Sequence, residues 1–257
     1  MLGDVVDVAR KWRVVHLLGI STLRARYSRS KFGQAWLSLT TLIHILCIGL
    51  IWSLIWKMEL DEYLPYVGIG HVIFIYFSQT INESTGVFVA DARIYLNDRQ
   101  PFFLSIGAHV YRNTLMLLHN IPTIILLVLW SEHAKTNFSF MFFMSLIISM
   151  IFLVFTSYLF AVLSTRFRDL IQLVGVLMQL MFLVTPVMWQ VDFLPLEYQN
   201  YIYINPFASL LEMIRNPIIG METNIHAFIS LCAWTIISII LCFIAYRILD
   251  KRIIFWV

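Results

Sequence analysis

Residues 138–168 read FSFMFFMSLIISMIFLVFTSYLFAVLSTRFR: 28 residues without a charge, then Arg166 and Arg168 within the next three. As a helix rising 1.5 Å per residue, the uncharged part is about 42 Å long, more than the ~30 Å hydrocarbon core of a bilayer. It reads as a membrane span with cations at one end. Working outward from it, residues 37–56, 63–83, 106–130, 170–188 and 226–248 have the same character. Of 257 residues, 60% are hydrophobic and the mean hydropathy is +0.81, more apolar surface than a soluble domain could cover. The expected fold is an all-α integral membrane protein with six transmembrane helices.

Six crossings place both termini on one side, and the positive-inside rule says which. Arg10, Lys11, Arg13, Arg24, Arg26, Arg29, Lys31, Arg93, Arg99, Arg112, Arg166, Arg168, Arg247, Lys251 and Arg252 fall on that side, against Lys57, Lys135 and Arg215 on the other. Both termini are therefore expected in the cytoplasm. Residues 1–36 form a cytoplasmic interface segment and 37–257 the six-span domain. The first 36 residues show no apolar core of a signal peptide, so none is expected to be removed. Cys47, Cys232 and Cys242 lie in apolar runs without metal-ligand spacing and read as small buried hydrophobes.

Residues 4–19, DVVDVARKWRVVHLLG, carry an apolar stripe of Val5, Val8, Ala9, Trp12 and Val15, with Arg10, Lys11 and Arg13 away from its centre. That pattern predicts an amphipathic helix along the membrane surface, Trp12 at head-group depth. It also fits a helix packed on a partner protein. Next comes RARYSRSKFG, residues 24–33, with four cations in eight positions. The cluster reads either as a topology anchor or as a site for phosphate groups at the inner leaflet. Each cation near an anionic surface contributes about 1 kcal/mol, and Arg grips phosphate oxygens bidentately. A helix through it would put Arg24 and Lys31 on one face, Arg26 and Arg29 on the other.

Between the second and third spans, VFVADARIYL predicts a short helix stopped by Asn97 and Pro101, suited to docking another protein or serving as a surface loop. On the other side, residues 189–225 contain apolar pieces too short to cross, broken by Pro195, Pro206 and Pro217 after Pro186. These predict re-entrant or interfacial helices forming a partial plug, because irregular backbone at membrane depth must be enclosed by protein or line a wet cavity. Trp189, Phe193, Tyr198, Tyr201, Tyr203 and Phe207 crowd there, as an interfacial aromatic belt or as platforms for sugar rings.

Motifs of catalysis are missing. The chain has no G-x-x-x-x-G-K-[ST] phosphate loop, so it is not expected to hydrolyse ATP; H-E-x-x-H, G-x-S-x-G and zinc-spaced Cys/His sets are also absent. His44, His71 and His119 sit in or near spans, and Glu83 has no obvious cationic partner nearby in sequence. The acids Glu59, Asp61 and Glu62 are explained by a solvated loop.

RYSRSKFGQAWL (26–37), STRFRDLIQLVGVLMQLMFLVTPVMW (164–189) and NPFASLLEMIRNPIIG (205–220) together resemble the membrane subunits of ABC-2 type exporters, in order and spacing, from about residue 20 onward. The motif on Arg166, Arg168 and Asp169, with a span ending at Pro186, carries the resemblance to the superfamily. The basic motif before the first span is similar to the polysaccharide branch, which handles O-antigen, capsule or teichoic acid chains. The resemblance implies a homodimer in the inner membrane with two copies of a separate ATPase, which binds ATP and Mg²⁺; this chain itself would hold no cofactor, and no nucleic-acid partner is expected. It implies a coupling helix at about 90–101, with Asp91, Arg93, Tyr95, Asp98 and Arg99 facing the ATPase. An outer gate would fall at about 189–225, with Trp189, Phe193, Tyr201, Tyr203 and Phe207 touching sugar. The substrate implied is a glycan on a polyprenyl diphosphate, whose head would meet Arg24, Arg26, Tyr27, Arg29 and Lys31 among membrane lipids. An ABC-2 exporter of a smaller lipid, drug or lipo-oligosaccharide, and an intramembrane lipid-linked sugar transferase, are the alternatives.

Overall fold

The computed structural model describes residues 1–28, 31–97 and 100–257, and every regular element among them is helical. In chain order these are α1 (Leu2–Arg10), α2 (Trp12–Tyr27), α3 (Ala35–Trp56), α4 (Leu60–Ser84), α5 (Val87–Ala90), α6 (Ala92–Asn97), α7 (Phe102–Trp130), α8 (Phe140–Arg166), α9 (Leu170–Val184), α10 (Leu196–Gln199), α11 (Pro206–Ile219) and α12 (Ile225–Ile253). Among the described residues, five helices are long and apolar enough to cross a membrane: α3, α4, α7, α8 and α12. Their starts carry local signals. Ser139 accepts a hydrogen bond from the Phe142 N–H, and Asn224 from that of His226, filling donors a helix leaves orphaned.

The expected fifth span differs. α9 has 15 residues, about 22 Å of helix, and ends at Val184. Pro186 explains the stop: its ring disfavours helical backbone at the residue before it, and Thr185 is extended (φ −80°, ψ 138°). The expected single helix 170–188 is thus a shorter helix plus an elbow. Three side chains seize the elbow by its carbonyls. Tyr63 donates to the Met188 oxygen at 2.6 Å, Tyr66 to that of Trp189 at 2.9 Å, and Arg215 Nη1 to that of Pro186 at 2.7 Å.

α4 is the axis of the bundle, buried almost continuously from Tyr63 to Phe77. The pair Gly68–Gly70 serves packing: a Cβ at Gly68 would lie 2.6 Å from Leu127 and 2.8 Å from Ile45, so α3, α4 and α7 pack closely there. α8 and α12 run side by side along most of their length. Phe103 stacks on Tyr158 at 4.2 Å, the Tyr158 hydroxyl donates to Asp250, and that of Tyr246 donates to Asp4. These contacts gather α1 and the end of α12 at one end of the bundle. Asp4 is therefore a tie between the two ends of the chain.

After the elbow, the short turns Val191–Phe193 and Asn200–Ile204 flank α10 and lead inward. The Ile204 carbonyl accepts from Trp234, and the Phe207 ring meets Phe74 at 5.6 Å. Phe74 lies 14 residues into α4, roughly 20 Å from its start, so the segment dips deep into the bundle. Then α11 climbs back, started by Asn205 accepting from Phe207 N–H with Pro206 at the first position. It stops at Gly220, whose left-handed backbone (φ 79°) presses the Lys135 carbonyl. The expected re-entrant segment is a hairpin of this shape.

The expected surface helix over 4–19 is two helices, broken at Lys11, whose side chain reaches Gln100 at 2.8 Å. Val8 and Val15 pack on Gly107 of α7, while Trp12 is 60% exposed, free to meet a head-group layer.

Candidate functional site

Two regions gather chemistry: a charged corner where α2, α4 and α7 meet, and a polar cleft between α4 and α9. At the corner, Glu83 is the hub. Its Oε1 accepts from Arg26 Nη2 at 2.9 Å and from Gln79 at 3.0 Å; its Oε2 faces Arg112 Nη2 at 2.5 Å. The apparent loneliness of Glu83 in the sequence is thus corrected: its partners come from 57 residues before and 29 after. Arg112 Nη2 also meets His109 Nδ1 at 2.9 Å, and His109 Nε2 meets the Thr80 carbonyl at 2.9 Å. A guanidinium only donates, so Nδ1 accepts and Nε2 carries the proton; both ring nitrogens are satisfied with His109 neutral.

The basic stretch lies just beyond. α2 ends at Tyr27, so Lys31 stands past the helix, and the expected sharing of one helical face by Arg24 and Lys31 does not hold. Arg24 and Lys31 are exposed, and among the described residues neither meets an acid. Arg26 turns inward to Glu83 and Met116. Burial works against its charge, but the hydrogen bond and charge of Glu83 outweigh it and raise its pKa. Burial chiefly raises the pKa of Tyr27, which is half-buried. Arg29 lies outside the described residues.

The expected coupling helix is two short pieces, α5 and α6, interrupted at Asp91. Arg93 is exposed and Asp91 half-exposed, but Tyr95 faces inward, 4% exposed, its ring 4.3 Å from Phe102. Tyr95 is therefore a packing residue, because a six-residue helix must bury one side to be held at all. Asp98 and Arg99 lie outside the described residues. In the loop motif, Arg166 sits over the rings of Phe167 and Trp256, at 5.7 and 5.5 Å. Arg168 is exposed, and Asp169 precedes α9, accepting from the Leu173 N–H with its carbonyl but making no cap bond with its side chain.

Along one side of α4, His71, Ser78, Gln79 and Asn82 recur at helical spacing. With Gly175 and Gln179 of α9 they line a cleft of about 450 Å³, walled by Phe74 and Phe182. His71 is 5% exposed, and neither ring nitrogen finds a partner. Leaving a polar side chain unpaired in hydrocarbon costs roughly 2–7 kcal/mol. A lipid-facing wall would not carry this row, so it needs water, ligand or protein against it.

The outer aromatics divide. Tyr201 is 66% exposed and Phe193 45%, the latter 5.0 Å from the Trp56 ring. Trp189 is half-buried and donates to the Leu183 carbonyl. Tyr203 and Phe207 are buried, and Tyr203 donates to Glu212 at 2.6 Å. They hold the hairpin together and, being buried, expose little ring surface, so the structure places them as packing residues rather than as the open platforms expected. Sequence reading passes over Glu212 and weighs Arg215 only as a topology charge. Arg215 is 2% exposed, its guanidinium 3.7 Å from the Tyr66 ring centre; a buried charge in an apolar helix was the available signal. Nearby, Asp61 pairs with His133 at 2.7 Å and raises the imidazole pKa by hydrogen bond and charge, so one of the three acids at 59–62 is taken up by a surface ion pair.

With this geometry the comparisons with known proteins agree. The O-antigen export system permease protein RfbA of Klebsiella pneumoniae is 26% identical over 89% of this chain and 88% of its own length. RfbA of Myxococcus xanthus is 24% identical over 90% and 88%. The polysialic acid transport protein KpsM of Escherichia coli is 21% identical over 93% and 95%. The family model described as ABC-2 type transporter matches residues 14–219, about four-fifths of the sequence. This chain therefore belongs to the ABC-2 type transporter family.

Proposed function

We propose that the chain is the membrane subunit of an ATP-driven exporter that moves a polyprenyl-diphosphate-linked polysaccharide, of O-antigen or capsule type, across the inner membrane. Two copies face one another, each with an ATPase subunit that binds ATP and Mg²⁺. The polar row His71, Ser78, Gln79, Asn82 and Gln179 carries this reading: a hydroxyl-rich polymer needs a wet, hydrogen-bonding wall at membrane depth. The names of the relatives, which concern O-antigen and polysialic acid, supply the substrate class.

The steps follow from the chain's own residues. The diphosphate head meets Arg24, Arg26, Tyr27, Arg29 and Lys31 at the end bearing both termini. The sugars pass along the α4–α9 wall, where the half-buried Phe182 offers a ring and the amides offer exchangeable hydrogen bonds. The hairpin at the other end closes the exit. Movement of the ATPases enters through α5 and α6, with Arg93 at their surface.

Deletion of the gene should abolish surface polysaccharide and its return should restore it; polysaccharide at wild-type level in the deletion would overturn the reading. In a cysteine-free background, cysteines at Glu62, Glu132 or Asn200 should react with an impermeant thiol reagent in intact cells, and those at Ser28 or Asp250 should not. Labelling at Asp250 from outside would reverse the orientation. Arg93→Glu should cut co-purification of the ATPase several-fold without changing the amount of membrane subunit. Normal co-purification would place the docking surface elsewhere.

A further inference from the structure

The charged corner is short of one anion. Arg26 and Arg112 share the single carboxylate of Glu83, His109 is neutral, and among the described residues no other acid lies within ion-pair distance of either guanidinium. Arg112 also gives Nε and Nη2 to Asn113 Oδ1 at 3.4 Å and feels Asp91 at longer range, but Arg26 is left with an underused donor. Arg26 Nη1 has only the Met116 sulfur, a weak acceptor, at 3.7 Å. The cluster is reachable: the side chains of Arg26, Glu83 and Arg112 are 40%, 25% and 15% exposed. A purely structural staple would balance its charges, since an uncompensated charge at the edge of a membrane is unfavourable.

We propose that Arg26 and Arg112 form a two-pronged clamp for a diphosphate group, and that Glu83 is its resident counter-ion, displaced when the diphosphate arrives and restored when it leaves. This rests on the head-group reading above and adds to it Arg112, a residue on the third span, and the exchange. A diphosphate offers several oxygens to two planar forks, which a lone carboxylate cannot match. Glu83 lowers affinity, because binding is the difference between the new contacts and the lost ion pairs. That suits a transporter, which must let go of the head it has gripped. Gln79 donates to Glu83 and lines the polar cleft, so the clamp adjoins the proposed sugar path.

The test is equilibrium binding of radiolabelled undecaprenyl diphosphate to the full-length chain, with its ATPase, in phosphatidylcholine nanodiscs. Arg112→Gln should weaken binding about tenfold or more, and Glu83→Gln should tighten it by a similar factor. Arg112→Lys keeps the charge and the fold but loses the fork, so it should bind less well at an unchanged melting temperature. Soluble pyrophosphate should compete, while phosphatidylglycerol at equal amount should not. Unchanged or weaker binding by a Glu83→Gln variant of normal melting temperature would make Glu83 a staple and end the proposal. Wild-type affinity in Arg112→Gln would remove Arg112 from the clamp and end it too. Equal competition by phosphatidylglycerol would make the corner a general anionic-lipid site, again overturning it. A wild-type complex that exports polysaccharide but binds no diphosphate would sink the head-group reading while leaving the exporter assignment standing.

Discussion

Gly220→Ala is expected to destabilise the protein by about 3 kcal/mol or more, the largest effect of any single methyl group we foresee. Two costs combine. The left-handed backbone at Gly220, φ 79°, costs an L-residue roughly 1–2 kcal/mol. The added Cβ would also sit 2.0 Å from the Lys135 carbonyl oxygen, and a backbone atom cannot rotate away. The connection between α7 and α8 would have to move, breaking the hydrogen bond from Asn137 N–H to the Pro217 carbonyl. Thermal unfolding in detergent, followed with the yield of monodisperse protein, reads the effect. Gly3→Ala is the control, a helical position with nothing within 4 Å, where alanine should be neutral or slightly favourable. A Gly220→Ala protein melting like the wild type would mean that the α7–α8 connection yields freely.

Changing Arg24, Arg26 and Arg29 together to Lys should lower surface polysaccharide by about tenfold or more, with expression and thiol-labelling pattern unchanged. The positive-inside rule counts charge, so lysine serves as an anchor as well as arginine. A diphosphate grip depends on the planar fork, which lysine lacks. The geometry sharpens the expectation: Arg26 must serve Glu83 and a ligand in turn with one side chain, whereas Arg24 is exposed without an acidic partner among the described residues. Asp7→Asn, on the exposed side of α1, is the neutral control. Asp4 would be a poor one, because it holds Tyr246. Full export by the triple-lysine variant would return the cluster to the role of anchor.

The long spans were legible because twenty consecutive apolar residues have few other physical solutions. Observed helices such as Leu60–Ser84 and Phe102–Trp130 extend past the expected 63–83 and 106–130 by a turn or less, since polar ends continue a helix that apolar centres define. The expected fifth span, 170–188, is too long because it runs through Pro186, whose constraint acts on the residue before it. The family motif lay in local sequence and could be read. The Glu83 corner could not, because its parts lie on three helices and only packing chooses which faces meet. Arg112 was counted for its charge alone; its spacing from His109, one turn away on an apolar helix, was the clue left unused. Tyr95, Tyr203 and Phe207 misled for one reason: in short helices and turns there is no periodicity to tell an inward ring from an outward one.

Tyr63, Tyr66 and Arg215 hold the elbow after α9 through main-chain oxygens alone. Every amino acid brings the same carbonyl, so the grip is indifferent to which side chains the elbow carries. Val187 is confined by its burial, but Met188 and Trp189 are half-buried and contribute only backbone to these bonds. Natural variation can therefore rewrite their side chains without loosening the attachment. Among related chains, position 188 should drift freely and position 189 more freely than a core site, with only its indole bond to the Leu183 carbonyl to lose, while the three holders stay fixed, so that this end of the bundle can change its side chains at little cost to its architecture.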